Sequence, residues 1–261
     1  MIRCLGGVCR RKGLTCLTMG NIMNKDIETT INALKKNNFD VEYCEKAEDV
    51  NKVILKLIPE DATLERAGSM SVNQLEIVED LRARGNRGPG IPEPGVSTLP
   101  PLTPAVRNDV LLVSTNAVTL DGKLVNLDAT GNRVTGMAYG PKQVILVIGQ
   151  NKIVKDVQTA LERVQQVIAP FHAMTMEIPT PCAKTGKCVD CSSPRRICNI
   201  TTIISKKPPT LQFNIIMVGE DMGLGWDPDW PDERINKIAA AYRKEWQKIK
   251  AILGPPPANK P

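Results

Sequence analysis

The sequence predicts an α/β domain built on a mainly parallel sheet with flanking helices. Three patterns carry that reading. Residues 110–113 and 144–148 are continuous apolar runs, as expected of strands covered on both faces. Stripes at helical spacing, such as Val157, Ala160, Leu161, Val164, Val167 and Ile168, alternate with strand-like segments along the chain. That alternation is what a parallel sheet needs, because each crossover between neighbouring strands carries a helix. The 261 residues, 42% hydrophobic and 24% charged, suffice for one large domain with small appendages.

The elements follow in order. Residues 1–22 show no periodicity and read as a non-native or disordered leader, with a second start at Met23; residues 23–225 form the α/β domain. Ile27, Ile31 and Leu34 share a helical face, and residues 39–43 then alternate like a half-buried strand. Val50, Val53, Ile54, Leu57 and Ile58 mark a second helix, ended by Pro59. A short strand at 62–64 leads to Gly68-Ser69-Met70-Ser71, and a helix follows with Val72, Leu75, Val78 and Leu81 inward. Residues 86–106 are too rich in Gly and Pro for helix or central strand and predict an exposed loop. Asp121-Gly122 is a hairpin turn flanked by apolar alternation, and a Gly131-Asn132 turn opens another helix. Residues 200–204 and 211–218 are the last strands. Residues 226–261 hold a helix from Pro231 and a disordered tail. The helix carries Ile235, Ile238, Ala239, Tyr242, Trp246, Ile249 and Leu253 on one face, which packs back on the domain or, alternatively, forms a homodimer contact.

Composition excludes several functions. The net charge is +6, and Arg3, Arg10, Arg11 and Lys12, which precede any acidic residue, supply more than half of it. With aromatic residues at 3%, the chain lacks the basic face and stacking platforms of a nucleic-acid binder. No stretch approaches the ~20 apolar residues of a membrane span. His172 is the only histidine, and no nucleophile elbow, G-x-G-x-x-G or phosphate-loop pattern occurs.

The eight cysteines are unevenly placed: Cys4, Cys9 and Cys16 in the leader, Cys44, and a quartet of Cys182, Cys188, Cys191 and Cys198. The leader has no hydrophobic core of the secretory type, so the chain is assigned to the reducing cytoplasm, where clustered cysteines point to metal rather than disulfides. The quartet sits in a Cys-rich loop, residues 180–199, with glycine and prolines supplying an irregular backbone. Lys184, Lys187, Arg195 and Arg196 stand against Asp190 and would offset the negative charge of a thiolate-bound metal. Structural zinc usually takes two close cysteine pairs. A single Cys-x2-Cys flanked by lone cysteines is nearer to the wrapping of a 4Fe–4S cluster; zinc and metal-free thiols remain the alternatives.

A second set of candidates lies at element boundaries, where ligands of open α/β sheets gather. Ser69 and Ser71 precede a helix and could cradle an anion. Asn116, Asn132, Arg133, Asn151 and Lys152 follow strands or turns, and Arg133 and Lys152 suit a carboxylate or phosphate. Asp121, Asp128 and Glu220 are the candidate general bases.

Three stretches together resemble a known family. They are Thr115-Asn116-Ala117 through Asp121-Gly122 to Asp128-Ala129-Thr130-Gly131-Asn132-Arg133; Gly140-Pro141-Lys142 through Gly149-Gln150-Asn151-Lys152-Ile153-Val154; and the cysteine run ending in Cys198-Asn199. In this order and spacing they are similar to the LUD-domain family, the lactate-utilisation protein C or YkgG-like group, over residues 24–225, in its cysteine-bearing form. The resemblance implies a fold like that of the glucosamine-6-phosphate isomerase, ribose-5-phosphate isomerase and CoA-transferase group, and an association with L-lactate oxidation alongside iron–sulfur partner proteins. Two segments depart from the family pattern: Glu65-Arg66-Ala67-Gly68-Ser69 replaces a glycine-rich turn, and residues 86–106 replace a more helical connection.

The expected function is therefore a cytoplasmic iron–sulfur redox subunit serving oxidation of lactate or a similar small hydroxy acid. One alternative is a sugar-phosphate isomerase or acyl-transfer enzyme using the strand-end anion pocket. The other is a non-catalytic assembly protein with structural zinc.

Overall fold

The computed structural model describes residues 24–91 and 107–253, so the leader, most of the Gly/Pro-rich segment and the tail lie outside the described residues. Helix α1 (Lys25–Lys36) starts where the Asn24 side chain accepts the Asp26 N–H at 2.9 Å. Acidic Asp26 and Glu28 in its first turn, and Lys35 and Lys36 in its last, complement the helix dipole. A left-handed Asn38, with φ of 67°, turns the chain into β1 (Asp40–Cys44). Helix α2 (Val50–Leu57) returns it to β2 (Leu64–Glu65).

The expected helix after Gly68 is broken in two: α3 (Met70–Asn73) and α4 (Val78–Ala83). Glu76 between them adopts a φ of 52°. The break has a packing cause. Val72, Leu75, Ile77 and Leu81 all enter one core cluster, and Ile77 lies off the stripe that a continuous helix would bury. At the described start of the Gly/Pro-rich segment Asn86, Gly90 and Ile91 are buried against the expectation of an exposed loop, while Arg87 is exposed. Leu64 N–H donates to Arg87 at 2.8 Å, Gly90 N–H donates to Leu64 at 2.9 Å, and Ile91 is buried.

Next come β3 (Val110–Val113), the hairpin of β4 (Ala117–Thr119) and β5 (Leu124–Asp128), α5 (Asn132–Ala138), β6 (Gln143–Gly149) and the short β7 (Ile153–Val154). Helix α6 (Val157–Arg163) passes through a π-helical turn at Val164–Ile168 into α7 (Ala169–Thr175). Pro170 explains the wide turn, since it offers no N–H and its ring would crowd the carbonyl four residues back. The remaining elements are α8 (Pro181–Thr185), β8 (Ile200–Ile204), β9 (Gln212–Val218) and α9 (Asp232–Leu253).

Among the described residues the strands form two sheets. The first is five-stranded and parallel, in the order β1-β9-β6-β3-β2. The second is four-stranded and mixed, in the order β7-β4-β5-β8, with β8 antiparallel to β5 at its edge. Alternate side chains of the parallel strands feed two clusters. Leu112, Ile145 and Ile216 pack under α2, α3 and α4; Val113, Leu146 and Ile215 pack toward α1, α5 and the second sheet. The far face of the second sheet is covered by α6, the π turn and Tyr242 of α9. The carboxyl ends of the parallel strands thus open toward the loops after β2, β3, β6 and β9. No helix among the described residues is long and apolar enough to cross a membrane.

Candidate functional site

The loops at the strand ends meet around Lys152. Its amine donates to Ser71 Oγ at 2.9 Å, Ser114 Oγ at 2.7 Å and the Thr115 carbonyl at 2.9 Å, and the residue is 4% exposed. Burial, then the neighbouring Arg133 charge, pushes the amine down to about 7. Such a group is satisfied in either protonation state. Ser114 Oγ also donates to the Val147 carbonyl at 2.6 Å, so it must accept from Lys152, whereas the Ser71 hydroxyl is free to accept from an ammonium or donate to a neutral amine.

Arg133 lies beside this group, donating from Nη1 to the Ser114 carbonyl at 3.1 Å and Asn126 Oδ1 at 2.7 Å. Its Nη2 donates to Asn116 Oδ1 and the Leu127 carbonyl, both at 2.9 Å, and its Nε stands 3.4 Å from Asp128 Oδ2. Asp128, 7% exposed, spends its other oxygen on the N–H groups of Thr130 and Gly131 at 3.3 and 3.0 Å. Asn132 Oδ1 accepts from the Thr130 hydroxyl at 3.0 Å.

The crevice is filled by the loop after β9. Met222 N–H donates to Asn151 Oδ1 at 2.8 Å, Asn151 Nδ2 to the Gly225 carbonyl at 3.0 Å, and Gly223 N–H to Gln74 Oε1 at 2.7 Å. Gly223 is required here. Its φ is 67°, and a Cβ would stand 2.3 Å from Ser71 Oγ. Arg234 pins the same loop through both oxygens of Asp221, at 2.8 and 2.7 Å.

The other candidates lie apart from this network. The Asp121 carboxylate, at the β4–β5 hairpin tip, bonds Thr119 Oγ1 and the Lys123 ammonium, which hold it below the usual carboxylate range, with Lys123 the larger cause. Glu220 accepts the Ala47 N–H at 2.8 Å and so caps the turn that leads into α2. Ser69 is buried, and its hydroxyl has no partner among the described residues. The pairing of His172 Nδ1 with the Tyr242 hydroxyl was not legible in the sequence. Burial, then Arg133, pushes His172 down to about 4, and burial raises Tyr242.

The second locality is the cysteine loop. It leaves α7 through α8, turns at Gly186 with φ of 71°, and returns to β8 at Asn199, whose N–H donates to the Asp128 carbonyl at 3.0 Å. Cys182, Cys188, Cys191 and Cys198 all line one pocket, floored by Ala169 and Pro170. All four are free thiols and partly exposed, whereas Cys44 is buried at the end of β1. Two sulfurs have hydrogen-bonding neighbours: Asp190 N–H donates to Cys188 Sγ at 3.4 Å, and Thr180 Oγ1 lies 3.3 Å from Cys182 Sγ. Among the described residues no three His, Cys, Asp or Glu side chains converge as closely as one metal ion needs.

Arg196 ties the loop together. Its Nη1 donates to the Cys191 carbonyl at 2.6 Å, and its Nη2 to Asp190 Oδ1 at 2.9 Å and the Cys198 carbonyl at 3.2 Å.

A two-sheet α/β domain with a parallel sheet, a buried Lys–Arg network at its strand ends and a cysteine loop defines the class. The chain belongs to the LUD domain family, whose model matches residues 27–218. No curated protein matches it in sequence. Among solved structures it is similar to a DUF162 family protein from Deinococcus radiodurans, at 12% identity and a TM-score of 0.44, over 74% of this chain and 96% of that one.

Proposed function

We propose that this LUD-domain chain is an iron–sulfur redox subunit. In this reading it serves oxidation of L-lactate or a similar small hydroxy acid in the reducing cytoplasm, together with iron–sulfur partner proteins. One observation carries the proposal: four free thiols from one loop line one pocket. The donor set fits an iron–sulfur cluster, because thiolates hold clusters and N–H donors nearby support sulfur charge.

When bound, a 4Fe–4S cluster would accept and pass single electrons. The chain's own part is to hold Cys182, Cys188, Cys191 and Cys198, to offset their charge with Lys184, Lys187, Arg195 and Arg196, and to donate the Asp190 N–H to Cys188. The sugar-phosphate isomerase or acyl-transfer reading draws less support. Lys152 and Arg133 already donate to protein acceptors, and an anion would have to displace them.

Anaerobic purification with iron and sulfide analysis tests the proposal. The expected protein is brown, with stoichiometric iron and sulfide and a broad absorption near ~400 nm that bleaches on reduction. A colourless protein with one zinc per chain would favour the assembly role instead. Metal-free protein that binds a sugar phosphate would favour the isomerase or transferase reading.

A further inference from the structure

Resting on that reading of the cysteine pocket, we infer that Arg196 is a positioning residue for the bound group. Its terminal nitrogens hold the quartet's two arms in register, and its Nε–H is left to donate to a sulfur of the group bound there. The first half is direct geometry. One guanidinium reaches the carbonyls of Cys191 and Cys198 and the carboxylate of Asp190, so it joins the Cys188-x2-Cys191 turn to the separate arm that carries Cys198. A planar fork can do this; a lysine ammonium is a point charge on a flexible stem and cannot reproduce it.

The second half comes from an atom left over. Arg196 Nε is buried without a hydrogen-bond partner among the described residues, and Arg196 lines the same pocket as the four cysteines. A desolvated N–H donor is costly to leave unmade, and buried donors normally find an acceptor. None of the four cysteine sulfurs lining the pocket accepts from it, which leaves the acceptor to a sulfur of the bound group. An N–H···S bond favours the more negative, reduced state of an iron–sulfur group, so this donor raises its reduction potential.

The test uses the full chain as wild type and Arg196→Lys, which keeps the charge and removes both the fork and the Nε–H. Both proteins are expected to carry iron and sulfide. The variant's reduced-to-oxidised ratio at a fixed potential should fall about tenfold, equivalent to ~59 mV for a one-electron couple. It should also lose iron faster to a chelator. With the metal removed, Cys191 and Cys198 of the variant should react faster with iodoacetamide than in the wild type, while buried Cys44 stays protected and so reports an intact fold. Equal potential, chelation rate and alkylation in two iron-loaded proteins would overturn the role of Arg196 and leave the cluster standing. Iron-free wild type would overturn the cluster reading; faster alkylation in the variant would then still support the clamp, and unchanged alkylation would remove it as well.

Discussion

Lys152 and Arg133 share one residue between them: the lysine amine donates to the hydroxyl of Ser114, and the arginine donates to its carbonyl. The two side chains thereby share one serine among their several acceptors, with Asp128 as the carboxylate beside Arg133. This arrangement has a consequence for stability against pH. Lys152 sits at about 7 in the folded protein, against 10.5 for an ordinary lysine. Between those values the unfolded chain binds the extra proton, so stability rises as the pH is raised through this window. Urea titrations from pH 7 to 10 should show that rise, and Lys152→Met should flatten it. An unchanged slope in the variant would assign the effect to another group.

His172 acts at the acid end. Its folded value of about 4 lies below the ordinary 6.5, so the unfolded chain binds more protons between them and stability falls as pH drops through that range. Denaturant curves at pH 6.5 and 4.5 should diverge less for His172→Leu than for the wild type. Tyr242→Phe removes the hydroxyl that pairs with Nδ1 and should cost about 1 kcal/mol at neutral pH.

Two glycines with nearly the same backbone separate strain from collision. Gly68 and Gly223 have φ of 69° and 67°, but a Cβ on Gly68 meets nothing within 4 Å whereas one on Gly223 collides with Ser71. Gly68→Ala should cost ~1–2 kcal/mol from the left-handed backbone alone. Gly223→Ala should cost clearly more and also shift the Lys152 titration. Equal losses in both variants would show that the loop after β9 yields without resistance.

Replacing Cys188 and Cys191 together by serine should abolish the ~400 nm absorption of anaerobically purified protein while the far-ultraviolet dichroism stays native. Cys44→Ser should keep the colour, because that thiol is buried in the core under α2 and away from the pocket. Colour that survives the double replacement would remove those two sulfurs from the ligand set.

Much of the parallel sheet was legible. The seven residues of β6 are all buried, as a continuous apolar run implies, and Ile27, Ile31 and Leu34 of α1 are buried on the face that their spacing defines. The second sheet was not legible, because Ile200–Ile204 has the same β-branched composition whether it pairs with β5 or joins the parallel strands. The break at Glu76 depended on Ile77 having to reach the core, which no local propensity announces. At the strand ends, the polar residues flagged after β3, β5 and β6 do gather. What the sequence hid was direction: Lys152 turns inward to Ser71, Ser114 and Thr115, and Gly223, 71 residues later, packs over it where no Cβ would fit. The spacing of Gly223 and Gly225 directly after the last strand was the available signal. The cysteine quartet was visible from spacing alone, but Arg196 looked like one basic neighbour among four until its three acceptors were seen.

Asp128 joins two halves of the molecule that the chain separates by seventy residues. Its carbonyl holds the amide of Asn199, the neighbour of Cys198, and its side chain holds the turn before α5 and faces Arg133. A continuous chain of polar contacts thus runs from the arm that carries Cys198, through Asp128, Arg133 and Ser114, to Lys152 at the strand ends.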